Sequence, residues 1–121
     1  ITGVLKYLPR CSYLVLIILI KKGCHMFYRV GKFKHELGKT DEIMGFFKSN
    51  EDTFKSSEGL KGVFYFKASE EEVVGVAMWE SKEHFEQSAD RIQSVLSGLA
   101  ELISGPPEVY EGNSGCIFDR D

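Results

Sequence analysis

Three side chains in this sequence stand out by type and spacing as able to do chemistry. Trp79 and His84 lie in GVAMWESKEHFE, residues 75–86, which reads as a strand end, a corner and a helix start. Arg29 lies in an earlier strand-like run, FYRVGKFK, residues 27–34. His84 falls in the first turn of the expected helix, where the helix dipole disfavours an imidazolium. A neutral imidazole there can serve as a base or as a hydrogen-bond partner for a ligand. Arg29, if it faces the same space, can pair with a carboxylate or an enolate. Trp79 offers a face on which an aromatic ligand can stack. Each has a plainer alternative: His84 as a half-exposed helix-start residue, Trp79 as a packing anchor, Arg29 as a snorkelling or surface ion-paired side chain.

Other chemistries find no support. The histidines His25, His35 and His84 and the cysteines Cys11, Cys24 and Cys116 form no metal-ligand spacing, so no metal is expected. The odd cysteine count, without a C-x-x-C or a disulfide framework, fits a reducing compartment and a cytoplasmic protein. A formal net charge of -3 without a basic patch argues against nucleic-acid binding. No cofactor-binding loop is present, and none of the usual cofactors is expected.

The elements that must position these residues follow from periodicity. Residues 27–34 read as a strand. Thr40-Asp41-Glu42 starts a helix with acid in its first turn, and Ile43, Phe47 and Phe54 give it an apolar face to about residue 55. GVFYFKA, residues 62–68, and VVGVAMWE, residues 73–80, form a hairpin around the acidic turn Glu70-Glu71-Glu72. Phe85, Ala89, Ile92, Leu96, Leu99 and Ile103 form the stripe of a second helix, capped by Ser81 and stopped by Gly105-Pro106-Pro107. A last strand follows in EVYEGNSGCIFDRD. The order β-α-β-β-α-β predicts an α+β, ferredoxin-like domain over residues 26–121, with two helices on one face of an antiparallel sheet.

Both sides of residues 73–79 are apolar, so both faces of the sheet need cover. A second copy is the simplest cover for the helix-free face, with Val74, Val76 and Met78 in the interface. On the helix side, Arg29, Gly31 and Phe33 should face Gly75 and Ala77. These small residues leave volume that Ile43, Phe47, Phe64, Phe66 and Phe85 can ring as a pocket for an apolar small molecule, or that the large Phe side chains can fill. Tyr28, Tyr65 and Tyr110 are candidate hydroxyl donors, and strand parity sets the first two on the dimer face.

VVGVAMWESKEHFE in this strand order resembles the dimeric α+β barrel proteins, more narrowly the antibiotic-biosynthesis-monooxygenase type, over about residues 26–121. The resemblance implies a homodimer. Among such proteins it implies cofactor-independent oxygenases acting on quinols or polycyclic aromatics, haem-degrading enzymes, and members without known activity. The haem-degrading pattern asks for an Asn on the first strand, the corner Trp and a His farther along the helix. Trp79 matches, but Gly31 stands at the strand position, and Ser88 and Ala89 where the His should be. Haem is therefore not expected. The expected function is a pocket beside Trp79 for an apolar or aromatic molecule, with His84 as base and Arg29 as anion stabiliser if it is a monooxygenase. The alternatives are a non-catalytic binder of a fatty-acyl-like or other elongated ligand, and a structural or regulatory dimer with a filled core.

Residues 1–25 differ from the rest. They hold an apolar run, Tyr13 to Ile20, between Arg10 and Lys21-Lys22, far short of the roughly 20 residues that span a bilayer. They read as an extension: upstream sequence before Met26, an element packed on the domain, or a signal or anchor.

Overall fold

The computed structural model describes residues 25–120. The expected extension and its apolar run, Tyr13 to Ile20, lie outside the described residues apart from His25. Four strands are present: β1 (Phe27–Lys34), β2 (Leu60–Ser69), β3 (Glu72–Trp79) and β4 (Glu108–Asn113). Between them come the helices α1 (Thr40–Ser49), α2 (Glu51–Lys55) and α3 (Lys82–Leu96), with a 3-10 turn over Ser97–Glu101. The expected first helix is thus two pieces. Asn50 turns its side-chain amide back onto the Phe46 carbonyl at 2.9 Å and interrupts it. At the start of α2, Lys55 and then Lys48 of α1 hydrogen-bond the Glu51 carboxylate and hold its pKa below the ordinary value. The second helix ends earlier than its apolar stripe. Beyond Leu96 the chain tightens, and the Phe46 ring packs against Gly98, where a Cβ would stand 2.7 Å away.

The sheet runs β2-β3-β1-β4, all antiparallel, so the two strands predicted to be central neighbours are central. Register assigns the faces, because directly paired residues point the same way. Phe27, Arg29, Gly31 and Phe33 pair with Trp79, Ala77, Gly75 and Val73. The helices cover this face: Phe33 stacks edge-on against Phe47 at 5.9 Å, and Phe27 meets Phe85 at 5.8 Å. Phe33, Ile43 and Leu99 form the buried core, with Met44, Phe46, Phe47, Leu96, Leu102 and Ile103 packed around it.

His35 ties three segments together at the end of β1. Its backbone N–H donates to the Glu71 carbonyl at 2.9 Å, which holds the acidic turn. The Glu36 carbonyl, 2.7 Å from Nδ1, can only accept, so Nδ1 carries the ring proton. Nε2 then accepts from the Thr40 hydroxyl at 3.2 Å, at the first residue of α1. His35 is buried and fully partnered, a core histidine. Cys116 is disulfide-bonded, which differs from the expectation of free thiols. Among the described residues, no helix is long and apolar enough to cross a membrane.

Candidate functional site

Trp79 ends β3 opposite Phe27 on one side and Leu60 on the other. It is 1% exposed and meets Phe85 edge-on at 5.6 Å. Phe85 is the first residue of the α3 stripe, so the corner closes by locking helix onto strand. Ser81 caps the helix as expected: its hydroxyl accepts the His84 backbone N–H at 3.2 Å. The same hydroxyl lies 2.7 Å from His84 Nδ1. When it donates to Nδ1, the neutral ring carries its proton on Nε2 and presents a donor, not a base. The His84 ring also lies against Gly59 so closely that a Cβ there would overlap it. Gly59, at φ 84°, is a backbone that glycine adopts without strain. We expect Ser81→Ala to lose both contacts and about 1 kcal/mol of stability, read as a lower urea midpoint. An unchanged midpoint would mean that the corner does not depend on this cap.

Arg29 does face the helix side. Its guanidinium lies 4.3 Å from the centre of the Phe85 ring, a cation–π contact, and Nη1 pairs with Glu111 on β4. His84 and Arg29 are not brought together. Neighbouring positions on a helix point about 100° apart: Phe85 is aimed at β1 and β3, while His84 is aimed at the chain entering β2.

The expected pocket is partly filled. The Phe33 ring folds back over the two glycines, so a Cβ at Gly31 would stand 2.9 Å from it and one at Gly75 3.5 Å. Phe47 packs on Phe33 and Ile43 is wholly enclosed, so these three residues belong to the core. Phe64 and Phe66 must be corrected. They pair with Val76 and Val74 and therefore lie on the helix-free face, not around the pocket. Tyr65, expected on the dimer face, pairs with Gly75 and stands on the helix side with Val63, which pairs with Ala77. Tyr28 does lie on the helix-free face, where its hydroxyl reaches the Met78 sulfur at 3.2 Å.

Beyond the cover of Phe33, Val63 and Tyr65 stay exposed on the helix-side face, beside Ala77 and Gly75. Sequence reasoning named Tyr65 but put it on the wrong face, since Val63 to Phe66 is apolar or aromatic throughout, and it missed Glu111, which is remote from Arg29 in sequence. A groove of about 460 Å³ opens at the hairpin end, lined by Lys34, His35, Ser69, Glu71, Glu72 and Ser104. Its lining is polar and charged, unlike an aromatic site. Among the described residues, no group of His, Cys, Asp or Glu could hold a metal ion.

The helix-free face presents Phe64, Phe66, Val74, Val76, Met78, Tyr28, Val30 and Tyr110. Phe64 and Phe66 are more than half exposed on it, an apolar patch that a lone soluble chain seldom carries.

No protein-family model and no curated protein matches this chain. Solved structures do. A monooxygenase from the gene ActVA-Orf6 of Streptomyces coelicolor, in complex with Nanaomycin D, superposes with a TM-score of 0.66 at 18% identity, over 84% of this chain and 98% of the other. SnoaB, a cofactor-independent oxygenase from Streptomyces nogalater, gives 0.61 at 13% identity over 78% and 96%. A conserved protein from Methanosarcina mazei Go1 gives 0.63 at 18% over 74% and 94%. At such identities the likeness is one of fold, and it is the fold that the strand order and the Trp79 corner had suggested.

Proposed function

From a fold shared with antibiotic-biosynthesis-monooxygenase-type α+β barrel proteins, we propose that this chain works as a homodimer and binds an aromatic, oxygen-bearing small molecule in a cleft beside Phe85 and Trp79. The observation that carries this reading is Arg29, a half-buried cation laid on the Phe85 ring and held by Glu111. Glu111 occupies Nη1, and the guanidinium has further N–H groups for a phenolate or enolate oxygen. Two relatives in fold, one described as a cofactor-independent oxygenase and one holding Nanaomycin D, fit such a ligand.

In the enzymatic form of this reading the substrate loses a proton to a base and its carbanion passes electrons to molecular oxygen. One oxygen atom enters the ring and the other leaves as water. The protein supplies a dry cleft and a cation beside the developing anion. The second reading is binding without turnover. The placement of His84 against Gly59, away from Arg29, favours it, since it sets no base beside the guanidinium.

The test uses Trp79, the single tryptophan of the chain. Titrating the protein with a dihydroxynaphthoquinone or its hydroquinone should quench Trp79 fluorescence saturably. Arg29→Met should weaken that binding about tenfold. Oxygen consumption with the hydroquinone then separates the two readings: uptake above the buffer rate means turnover, and saturable quenching alone means binding. No saturable quenching across such a series would overturn both.

A further inference from the structure

Cys116 is the one cysteine among the described residues and it is disulfide-bonded, so its partner in this chain is Cys11 or Cys24. The β1–β4 ladder bears on which. Phe27 pairs with Asn113. One step further, the Ser114 N–H donates to the Met26 carbonyl at 2.7 Å, and the Met26 N–H donates to the Ser114 hydroxyl at 2.9 Å. The two chains thus stay in register past the last residue of β4. Two steps further in that register, Cys24 stands opposite Cys116 in sequence. Cys116 is also exposed, which opens its bond to exchange with thiols from solution.

We propose that Cys24 is the partner of Cys116, and that the bond is a redox-sensitive clamp across the β1–β4 end of the sheet. Antiparallel residues that exchange hydrogen bonds hold their Cα atoms about 5.5 Å apart, the separation that a disulfide asks for. His25, at φ 60°, bends the chain just before Met26, but one residue displaces it by only ~3.8 Å. Cys11 lies thirteen residues farther from the ladder, so holding it at Cys116 costs more chain entropy. Forming the bond takes two electrons and two protons from the two thiols. A small disulfide such as oxidised glutathione accepts them: one protein thiolate displaces a glutathione thiolate, and the second then displaces the other. Two reduced glutathiones run the same steps backwards. The clamp ties together nearly the whole domain, where a crosslink constrains the unfolded chain most. It also stands beside the corner, because Phe27 at the start of β1 pairs with Trp79 and meets Phe85.

The test has two parts and uses the full chain, equilibrated with mixtures of reduced and oxidised glutathione. Tryptic mass spectrometry without reductant should find residues 23–29 linked to residues 92–120, and the linked species should give way to its two peptides as the mixture becomes more reducing. In a mixture of ¹⁵N-labelled and unlabelled protein, the linked species should carry one isotope only. Reduction should lower the melting temperature by about 10 °C or more, followed by circular dichroism. Cys24→Ser should melt like the reduced parent under all mixtures, and Cys11→Ser should keep the full difference. A link from residues 92–120 to residues 11–21, or one of mixed isotopes, overturns the pairing. A link that survives millimolar reduced glutathione, or a melting temperature indifferent to reduction, overturns the clamp as a redox device. If Cys24→Ser fails to fold, the reduced parent still answers both questions.

Discussion

Trp79→Ala should be the most destabilising single change in the domain, by about 3–5 kcal/mol, the usual cost of emptying a large aromatic site in a core. The reason is position as much as size. Trp79 closes β3 between Phe27 and Leu60, and its ring is the edge on which Phe85 docks the first turn of α3. Phe85 in turn meets Phe27 and carries the Arg29 guanidinium. Removing the indole therefore leaves a cavity under the helix start and loosens the corner that aims Arg29. A domain of this size is stable by roughly 5–15 kcal/mol, so the loss is a large share. With a urea slope of about 1–3 kcal/mol/M it should move the midpoint by one to several molar. Circular dichroism must follow the transition, because the variant has no tryptophan. Trp79→Phe keeps an aromatic edge for Phe85 and should recover about half of the loss. A Trp79→Ala midpoint within 0.3 M or so of the parent would show that the corner is not a core anchor.

That corner was legible in the sequence because its signals are local. Ser81 three residues ahead of His84, Glu83 in the first turn, and Phe85 opening an apolar stripe all lie within one helical turn, and the structure has the cap, the helix and the packing. The strand order was legible for a similar reason, since each element carried its own period. Legibility failed where the period carried no contrast. From Val63 to Phe66 every residue is apolar or aromatic, so nothing in the alternation said which pair faced the helices. The ladder decided it, and it also shifts register between Leu60 and Gly62, a displacement that no local signal announces. Gly31 and Gly75 correctly marked a thin place in the sheet. What stands over it depended on the rotamer of Phe33, which folded back and filled part of the space. Glu111 lay 82 residues from Arg29, and only the pairing of β1 with β4 made them neighbours.

Exchanging the two misplaced phenylalanines for aspartates should change assembly and leave the protomer intact. Phe64 and Phe66 are 58% and 56% exposed in the single chain, so Phe64→Asp/Phe66→Asp removes little of the protomer's own packing. In a dimer built on the helix-free face the same side chains would lie against a second copy of Val74, Val76 and Met78. Each aspartate would then be an unpaired carboxylate brought out of water into apolar surroundings, at several kcal/mol apiece, and a two-fold axis makes four of them. The dissociation constant should rise by a factor of about 10³ or more, since each 1.4 kcal/mol is tenfold. Sedimentation at micromolar concentration should therefore turn from dimer to monomer, while the circular dichroism spectrum and the Trp79 fluorescence of the protomer stay close to the parent's. Val30→Asp on β1, at the centre of the same face, should act in the same direction. Lys48→Asp on the exposed side of α1 should leave the dimer as it is. A double variant that remains dimeric would place the interface elsewhere. A double variant that unfolds would mean that β2 depends on its outer phenylalanines within the single chain. Val30→Asp, half-buried on a central strand and so the stricter substitution, would then be replaced by Tyr110→Asp on exposed β4 to ask the same question without touching β2.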